Sequence, residues 1–588
     1  MSNFFGIIKK QQAYVLPSIQ TLLADNYCQD DCIFYFEESF DVSIFENELL
    51  LIMVSGFISN ITELCADKAS PAHVIAQIYQ LRPDTFHQTL LGNFAISIFN
   101  KSDKKLTLIR DHFGSRPLYL IDQEGFLAFS SDMSLLINSD IVPLHLNKNT
   151  MVNYLSLRIR DGKNTFYSEI ERLEASNFLI LEDASIQTHH YDYVPTHNPP
   201  PNKSIIKEFS FKFENAIRHS HFSKKNVGLM LSGGLDSSAI AIGMKNLGVK
   251  NVETFSGNYQ HLPKKQRGLS DETKFQAAVS ATTGYNHTPL PLENISPLES
   301  IEKYLSCFSE PIHMPNLYLF EEVALAAKRK DIDMIFDGQD GDNVISHGNE
   351  RFPELLKSLN IVGFLYEIFR YSAFNQVKLK NTTRFFASHI LLKWGLRKTP
   401  KKNDSIVEDS IFFDKRFFWQ PTATAVDSHQ DKLTSPNHAF AWEWRYLFFK
   451  RFGIEVRSPF YNKELTTFCV SLPSNWKLRH GQTRYILRCY LQGQVPDLVS
   501  QRRGKANLFH GLVHNVIQDD IEKIKREMEN MHPFLGSIVN RDQLQNCVNS
   551  LADTNTATDN SLTTALAFYS ANVWLHHNNK LVTAYKLC

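Results

Sequence analysis

The sequence predicts an α/β protein with two unlike halves, and three observations carry that prediction. Residues 1–194 are rich in short apolar or alternating runs divided by turn residues, the pattern of strands. Residues 195–203 read PTHNPPPNK, and three consecutive prolines can continue neither a helix nor a sheet, so 195–204 is read as a linker. From residue 205 to 588 strands alternate with helical segments, which implies a doubly wound parallel sheet with helical additions. A chain of 588 residues is also too long for one ordinary core.

In the first half the expected strands are CIFYFEESFDVSIF, ELLLIMVSGFIS, NFAISIFN, KLTLIRD, PLYLID, GFLAFSS and SNFLILED. After the linker, SIIKEFSFKFENAIRHS is expected as a helix and NVGLML as a strand. A small-residue turn follows, with a helix from about Ser237. VETFSG is expected as a strand, DETKFQAAVSATTG and LYLFEEVALAAKRK as helices, and DMIFDG as a further strand. Residues from about 345 to 440 interrupt this alternation and are expected to be an insertion. The remainder reads mainly helical, and no internal repeat is visible.

Composition excludes some functions. Lys and Arg number 62, as do Asp and Glu, so the formal net charge is zero. A dedicated nucleic-acid binder would carry a basic excess. The first residues, MSNFFGIIKKQQAYVL, lack the organisation of a signal peptide, and no apolar run approaches a membrane span. A cytoplasmic location without a membrane span is expected. Of eight cysteines, Cys28 and Cys32 form a lone CxxxC, expected to be reduced and partly buried.

The turn LMLSGGLDSSAI, residues 229–240, points to chemistry. Amides at a helix N-terminus carry partial positive charge, and glycines let a ligand approach the backbone. Gly233 and Gly234 with Ser232, Ser237 and Ser238 therefore read as an anion cradle. Asp236 would repel a bare phosphate, which suggests Mg²⁺ between its carboxylate and the phosphates. The turn matches neither GK[ST] nor GxGxxG.

The pattern SGGxDS resembles the pyrophosphate loop of ATP-pyrophosphatases. Further segments are similar, in the same order, to the asparagine synthetase family: FDGQDGDN (336–343), IEVRSPFYNKELTTFCVSLP (454–473), TRYILR and VPDLVSQRRGKANLF. GNFAISIFN, LIRDHFGSRPLYL and LAFSSDMSLL resemble the glutaminase domain of the same enzymes. The resemblance implies an N-terminal Ntn-hydrolase-like αββα sandwich and a C-terminal sheet of the adenine nucleotide alpha hydrolase, or PP-loop, type. It implies ATP and Mg²⁺ as cofactors, with metal at Asp236 and Asp342. ATP would meet Leu231, Ser232, Gly233, Gly234, Asp236, Ser237, Ser238, Ser256, Asp337 and Gly338. Lys505 falls on the family's catalytic lysine, and Arg484 supports it near the phosphates in place of the usual lysine. Glu455 is the candidate base or base partner, the alternative being that it only pairs with Arg457 or Arg503. The reaction implied is adenylation of a carboxylate with release of pyrophosphate, then attack by an amine.

Three departures bear on the amine. Ser2 stands where glutamine-dependent enzymes carry a cysteine. SGFISN (55–60) replaces NGEIYN, with Ser55 and Phe57 at substituted positions, and the first arginine of the chain is Arg82, so the early glutamine-clamping arginine has no counterpart. Glutamine hydrolysis is therefore expected to be lost. Gln339 replaces the usual Glu beside the aspartate substrate, and Asp340 replaces the following glycine.

Relatives with a silent glutaminase domain join an amine and a carboxylate within one substrate, as β-lactam synthetases and lasso-peptide cyclases do. LKNTTRFFASHILLKWGLRKTPKK (379–402) mixes Lys380, Arg384, Lys393, Arg397, Lys398, Lys401 and Lys402 with Phe385, Phe386 and Trp394. It reads either as a peptide-holding surface or as an amphipathic helix with a solvated basic loop. SHGNERFPELL (346–356) also resembles cyclase-like relatives. The leading expectation is a ligase most similar to a lasso-peptide cyclase, with a small peptide substrate and precursor-processing proteins as partners. The alternatives are asparagine synthesis from aspartate with ammonia or glutamine, and an ATP-binding scaffold without catalysis.

Overall fold

A computed structural model describes residues 3–578 except 12–13, 17–26, 30, 40, 66–69, 158–161, 192–203, 221–225, 261, 263–266, 268–270, 294, 306–307, 313, 315, 394–428, 430–432, 434, 505–508, 517–519 and 553–556. Ser2, Lys505, most of the expected linker and residues 394–402 of the basic 379–402 stretch thus lie outside the described residues.

The N-terminal half is two antiparallel six-stranded sheets laid face to face. The first contains β1 (Phe4–Lys9), β2 (Tyr27–Gln29), β3 (Cys32–Phe36), β8 (Tyr119–Asp122), β9 (Phe126–Ser130) and β10 (Glu171–Arg172), in the order β10-β8-β9-β1-β3-β2. The second contains β4 (Val42–Glu46), β5 (Leu50–Ile58), β6 (Gly92–Asn100), β7 (Lys105–Arg110), β11 (Asn177–Glu182) and β12 (Ser185–His190), in the order β12-β11-β7-β6-β5-β4.

Side chains alternate between the two faces of a strand, so each inner strand serves two cores. On β1, Phe4 and Ile8 enter the layer between the sheets with Met53, Phe99 and Leu108, whereas Phe5 and Ile7 face outward into the main core. The far face of the second sheet is covered by the helix Pro71–Leu81 through Ala72, Ile75 and Ala76. The outer face of the first is covered by Met133–Asn138 and Lys148–Leu155. The layers are therefore helix, sheet, sheet, helix, the expected sandwich. Cys28 is exposed, Cys32 is buried, and all six described cysteines are free thiols.

The C-terminal half is built on five parallel strands: β13 (Val227–Met230), β14 (Val252–Asn258), β15 (Asn286–Pro291), β16 (Met334–Phe336) and β17 (Glu455–Arg457). Their order is β15-β14-β13-β16-β17. Strands β15 and β17 are additions to the strands expected from sequence. The expected helices appear at Ile205–Ser220, Thr273–Thr283 and Leu317–Arg329. The helix after β13 begins at Leu235, two residues before the expected Ser237, so Asp236, Ser237 and Ser238 lie in its first turn.

Within the expected insertion the structure describes three helices, Arg351–Lys357, Ile361–Asn375 and Leu379–Lys393. They share a small core of Phe352, Ile368, Phe386, Ile390 and Leu478. The helix Pro436–Lys450 lies at the end of that stretch and inserts between the two halves. Among the described residues no helix is long and apolar enough to cross a membrane.

Candidate active site

In an open parallel sheet a ligand crevice forms at the carboxyl ends of the strands where the chain reverses its direction of winding. Here that point lies between β13 and β16. The two loops leaving it are 231–234 and 337–340, the same two that sequence marks as phosphate turn and acidic loop.

The first loop is shaped by its glycines. Gly233 has φ +68°, and a Cβ there would lie 2.6 Å from Phe275 Cβ and 2.9 Å from the Gln276 amide, so the turn rests on the helix Thr273–Thr283. Gly234 is the N-cap of Leu235–Asn246 and brings no side chain to the first amides. A Cβ at Gly234 would meet only Ser232 Oγ, at 3.1 Å. Gly234 is therefore the open position, and the helix dipole favours an anion there. Ser232 and Ser237 hydroxyls lie 3.2 Å apart. Ser238 Oγ is shielded from solvent, with no hydrogen-bond partner among the described residues. Ser256 Oγ donates to the Leu231 carbonyl, which ties the ends of β13 and β14 together and commits both groups internally.

The acidic loop is pressed against the first. A Cβ on Gly338 would lie 3.0 Å from the Ser237 amide nitrogen, and one on Gly341 would lie 2.7 Å from Asp236 Cγ. Asp236 and Asp342, both buried, thus belong to loops in van der Waals contact. Arg484 joins them. Its Nη1 donates to Asp236 Oδ2 at 2.7 Å. Burial disfavours the Arg484 cation, but Asp236 and Asp342 outweigh it and raise its pKa.

Two buried carboxylates facing one cation fit a divalent metal that keeps phosphate oxygens and water as its remaining ligands. Among the described residues no group of three His, Cys, Asp or Glu side chains forms a cage around a metal. The segment leading to Lys505 is anchored beside the phosphate turn: Arg502 pairs with Glu272 and its guanidinium sits 4.0 Å over the Phe275 ring.

Asp337 is buried and paired with Arg445, which also donates to Gln339. Burial raises the Asp337 pKa in spite of Arg445. Asp340 has φ +55°. Its side chain accepts from Asn343 Nδ2 at 2.7 Å and from the Tyr461 hydroxyl, and lies 2.8 Å from His438 Nδ1. Burial disfavours the Asp340 carboxylate, but His438 and these bonds hold its pKa well below the usual range. A left-handed residue other than glycine is strained, and these contacts offset that strain.

Glu455, on β17, is buried at the junction of the two halves. It pairs with Arg116 of the N-terminal half and lies 3.4 Å from Arg457. Arg503 does not join it; its guanidinium lies 6.0 Å from the Phe374 ring. From Glu455 a continuous run of side chains leads back to the start of the chain. The Arg116 guanidinium lies 4.1 Å over the Tyr446 ring, Tyr446 donates to Asp41 at 2.5 Å, and Lys450 Nζ donates to Tyr446 and to Asn3 Oδ1, each at 2.8 Å. Burial pushes the Lys450 ammonium below its ordinary pKa although Asp41 opposes this. Ser55 Oγ lies 3.3 Å from Tyr446 Oη, and Phe57 is covered by the Arg457 guanidinium.

Sequence reasoning missed His438, Arg445, Glu443, Tyr446 and Lys450, all on one helix. A signal was present: PNHAFAWEWRYLFFK sets five polar or charged residues into an aromatic segment, with His438 and Arg445 seven apart and so on one helical face.

Comparison with known proteins agrees with this geometry. Residues 208–576 match the asparagine synthase family model, and residues 50–192 match a glutamine amidotransferase domain. Asparagine synthetase [glutamine-hydrolyzing] 1 of Bacillus subtilis is 24% identical, over 78% of this chain and 76% of its own length. Putative asparagine synthetase [glutamine-hydrolyzing] 2 of Methanocaldococcus jannaschii is 25% identical, over 62% of this chain and 72% of its own. A chicken asparagine synthetase is 22% identical, over 57% of this chain and 63% of its own. The family match spans more than half of the chain, which therefore belongs to the asparagine synthase family.

Proposed function

We propose that this member of the asparagine synthase family is a carbon–nitrogen ligase that converts ATP to AMP and pyrophosphate and joins a carboxylate to an amine within one peptide, as a macrolactam cyclase does. The observation that carries the ligase reading is the meeting of Asp236, the Asp342 loop and Arg484 at the switch point of the parallel sheet.

Gly234 and the first amides of Leu235–Asn246 bind the phosphates, and Ser232 adds a hydroxyl. Asp236 and Asp342 are the residues that would hold Mg²⁺, which would neutralise charge on the departing pyrophosphate. Arg484, which pairs with Asp236, is the cation placed to meet phosphate oxygens. Lys505 donates to the oxygen that gains negative charge as the amine attacks. Glu455 is held by Arg116 and Arg457, so it serves the amine as a positioning partner.

The amine is supplied by the substrate, not by glutamine. Ser2, Ser55 and Phe57 replace the glutaminase residues. Lys450, Tyr446 and Arg116 are packed in the interface between Asn3 and Glu455. The N-terminal half then acts as a scaffold. The named relatives, glutamine-hydrolysing asparagine synthetases by their names, favour a second reading, asparagine synthesis from aspartate with ammonia or glutamine.

Pyrophosphate release decides between the two. The enzyme is assayed with MgATP plus aspartate and ammonium, and separately with a peptide bearing a free N-terminal amine and a side-chain carboxylate. Release and ring closure with the peptide are expected. Turnover with aspartate and ammonium alone refutes the peptide reading, and no release with any carboxylate refutes the ligase reading.

A further inference from the structure

The helix Ile361–Asn375 buries one face and leaves another bare. Val362 is 81% exposed, Leu365 57%, Tyr366 45% and Phe369 60%. Their spacing of three and four places them in one stripe on the helix surface. Leu359, 83% exposed, extends the stripe at one end. A contiguous apolar face of this kind on a soluble protein marks an interaction site.

Its surroundings are basic. Residues 351–393 contain seven Lys and Arg against two Glu, in a chain whose net charge is zero. Of the two acids, Glu367 is buried and accepts from the Gly481 amide at 2.9 Å. Lys357, Arg370, Lys378, Lys380 and Arg384 are exposed. Lys380 and Arg384 are one turn apart on the neighbouring helix, beside the exposed Phe385.

The same helix is fastened to the catalytic crevice. Gly481 lies against the backbone of Arg370 and Tyr371, where a Cβ would approach within 2.3 Å, and Tyr366 Oη is 3.0 Å from His480 Nδ1. Three residues after Gly481 comes Arg484, whose partner is Asp236. Three residues of extended chain span at most about 11 Å. The apolar stripe and the phosphate site are thus parts of one packed unit.

We propose that this face is the docking surface for the non-reacting part of the substrate, a peptide segment carrying apolar side chains among Asp and Glu. The apolar stripe takes the hydrophobic side chains, and the exposed cations take the carboxylates and raise the association rate. The identity of this peptide as substrate rests on the function proposed above; its binding does not. A surface-bound anionic membrane has the same charge and apolar character, but the attachment to His480 and Gly481, just before Arg484, favours a ligand that must also reach the crevice.

Two fluorescein-labelled peptides share their Leu and Phe positions and differ in having Glu or Lys at the others. Binding to the full chain is read by anisotropy, alongside flotation with phosphatidylglycerol vesicles. The Glu peptide is expected to bind and to weaken with salt, and the Lys peptide to bind at least about tenfold more weakly. Val362→Glu and Phe369→Glu should each lower Glu-peptide affinity about tenfold or more while leaving the thermal shift produced by MgATP unchanged. Equal binding of both peptides, binding to neither, or undiminished binding by both variants overturns the proposal. So does vesicle flotation that these variants abolish, which would assign the face to a membrane. Failure of the ligase reading would instead appear in the pyrophosphate assay, which these measurements do not use.

Discussion

Gly341→Ala sets two physical effects against each other. Gly341 opens a helical turn, Gly341–Ile345, and does not have a positive φ. Helix propensity alone therefore predicts that alanine stabilises, by up to about 1 kcal/mol. Sterics predict the opposite. The new Cβ would lie 2.7 Å from Asp236 Cγ and 2.8 Å from both Cβ and Oδ1 of Asp236. Carbon atoms at rest stand about 3.5–4.0 Å apart, so something must move by about 0.8 Å or more. Asp236 is 7% exposed and held by Arg484, so it cannot retreat into solvent. Overpacking of this kind costs about 1–3 kcal/mol, which exceeds the gain in propensity. The displaced group is also the expected metal ligand, and a 1 Å misplacement at a reacting centre can cost about a hundredfold in rate. Thermal unfolding should show a modest loss of stability. MgATP titration should show affinity reduced about tenfold or more, and pyrophosphate release should fall further. Gly338→Ala, whose Cβ would stand 3.0 Å from the Ser237 amide, should show the same loss in milder form. An alanine variant at 341 with a raised melting temperature and unchanged MgATP affinity would refute the contact between the two loops.

Other outcomes follow from the same structure. Glu443 accepts from Arg110 at 2.8 Å, Arg172 at 2.9 Å and Tyr119 at 2.6 Å in a buried cluster between the halves. Glu443→Gln leaves buried guanidinium charge uncompensated and should cost about 3–5 kcal/mol, read as a fall in unfolding temperature. Asp236→Ala and Lys505→Ala should abolish product while Ser2→Ala leaves it intact; a dead Ser2→Ala enzyme would restore a chemical role to the N-terminal half. Burial pushes the His112 imidazole down to about 3. The unfolded ring titrates near 6.5, so below that pH the unfolded chain binds a proton that the folded chain refuses. Stability should be steady above pH 6.5 and fall by about 1.4 kcal/mol per pH unit on acidification towards pH 3 from this group. His112→Phe should flatten that limb, and an unchanged acid slope would show that the ring is not buried neutral.

Legibility from sequence followed the length scale of each signal. The strands with several apolar residues in a row were readable in all three large sheets, and so were the two loops of the crevice, because turn, spacing and residue type lie within a dozen positions. Strand β17 is only three residues long, too short for periodicity. Strand β15, NHTPLP, carries two prolines that read as turn, yet it lies at the sheet edge, where a missing amide donor is tolerated. The helix after β13 starts early because Gly234, not a serine, caps it. The polar contacts that join the halves were invisible for a different reason. Arg110 and Glu443 are 333 residues apart, and Arg116 and Glu455 are 339 apart. No local pattern pairs such partners.

The helix Pro436–Lys450 explains why an N-terminal half without chemistry of its own would still be kept. Near its start, His438 grips Asp340, and two turns later Arg445 grips Asp337 and Gln339. Between and beyond them, Glu443, Tyr446 and Lys450 engage Arg110, Arg172, Asp41 and Asn3 of the other half. One rigid rod thus reads both halves, and its register on the acidic loop depends on its register on the sandwich. Removing residues 1–194 would expose Glu443 and Lys450 to water and free the rod to rotate. Asp340, held in a left-handed conformation by His438, Tyr461 and Asn343, would lose one of the contacts that offset its strain. Asp342 lies two residues further along the same loop. The sandwich is therefore expected to position the Asp340 loop through this helix, in addition to its direct contact with Glu455 through Arg116.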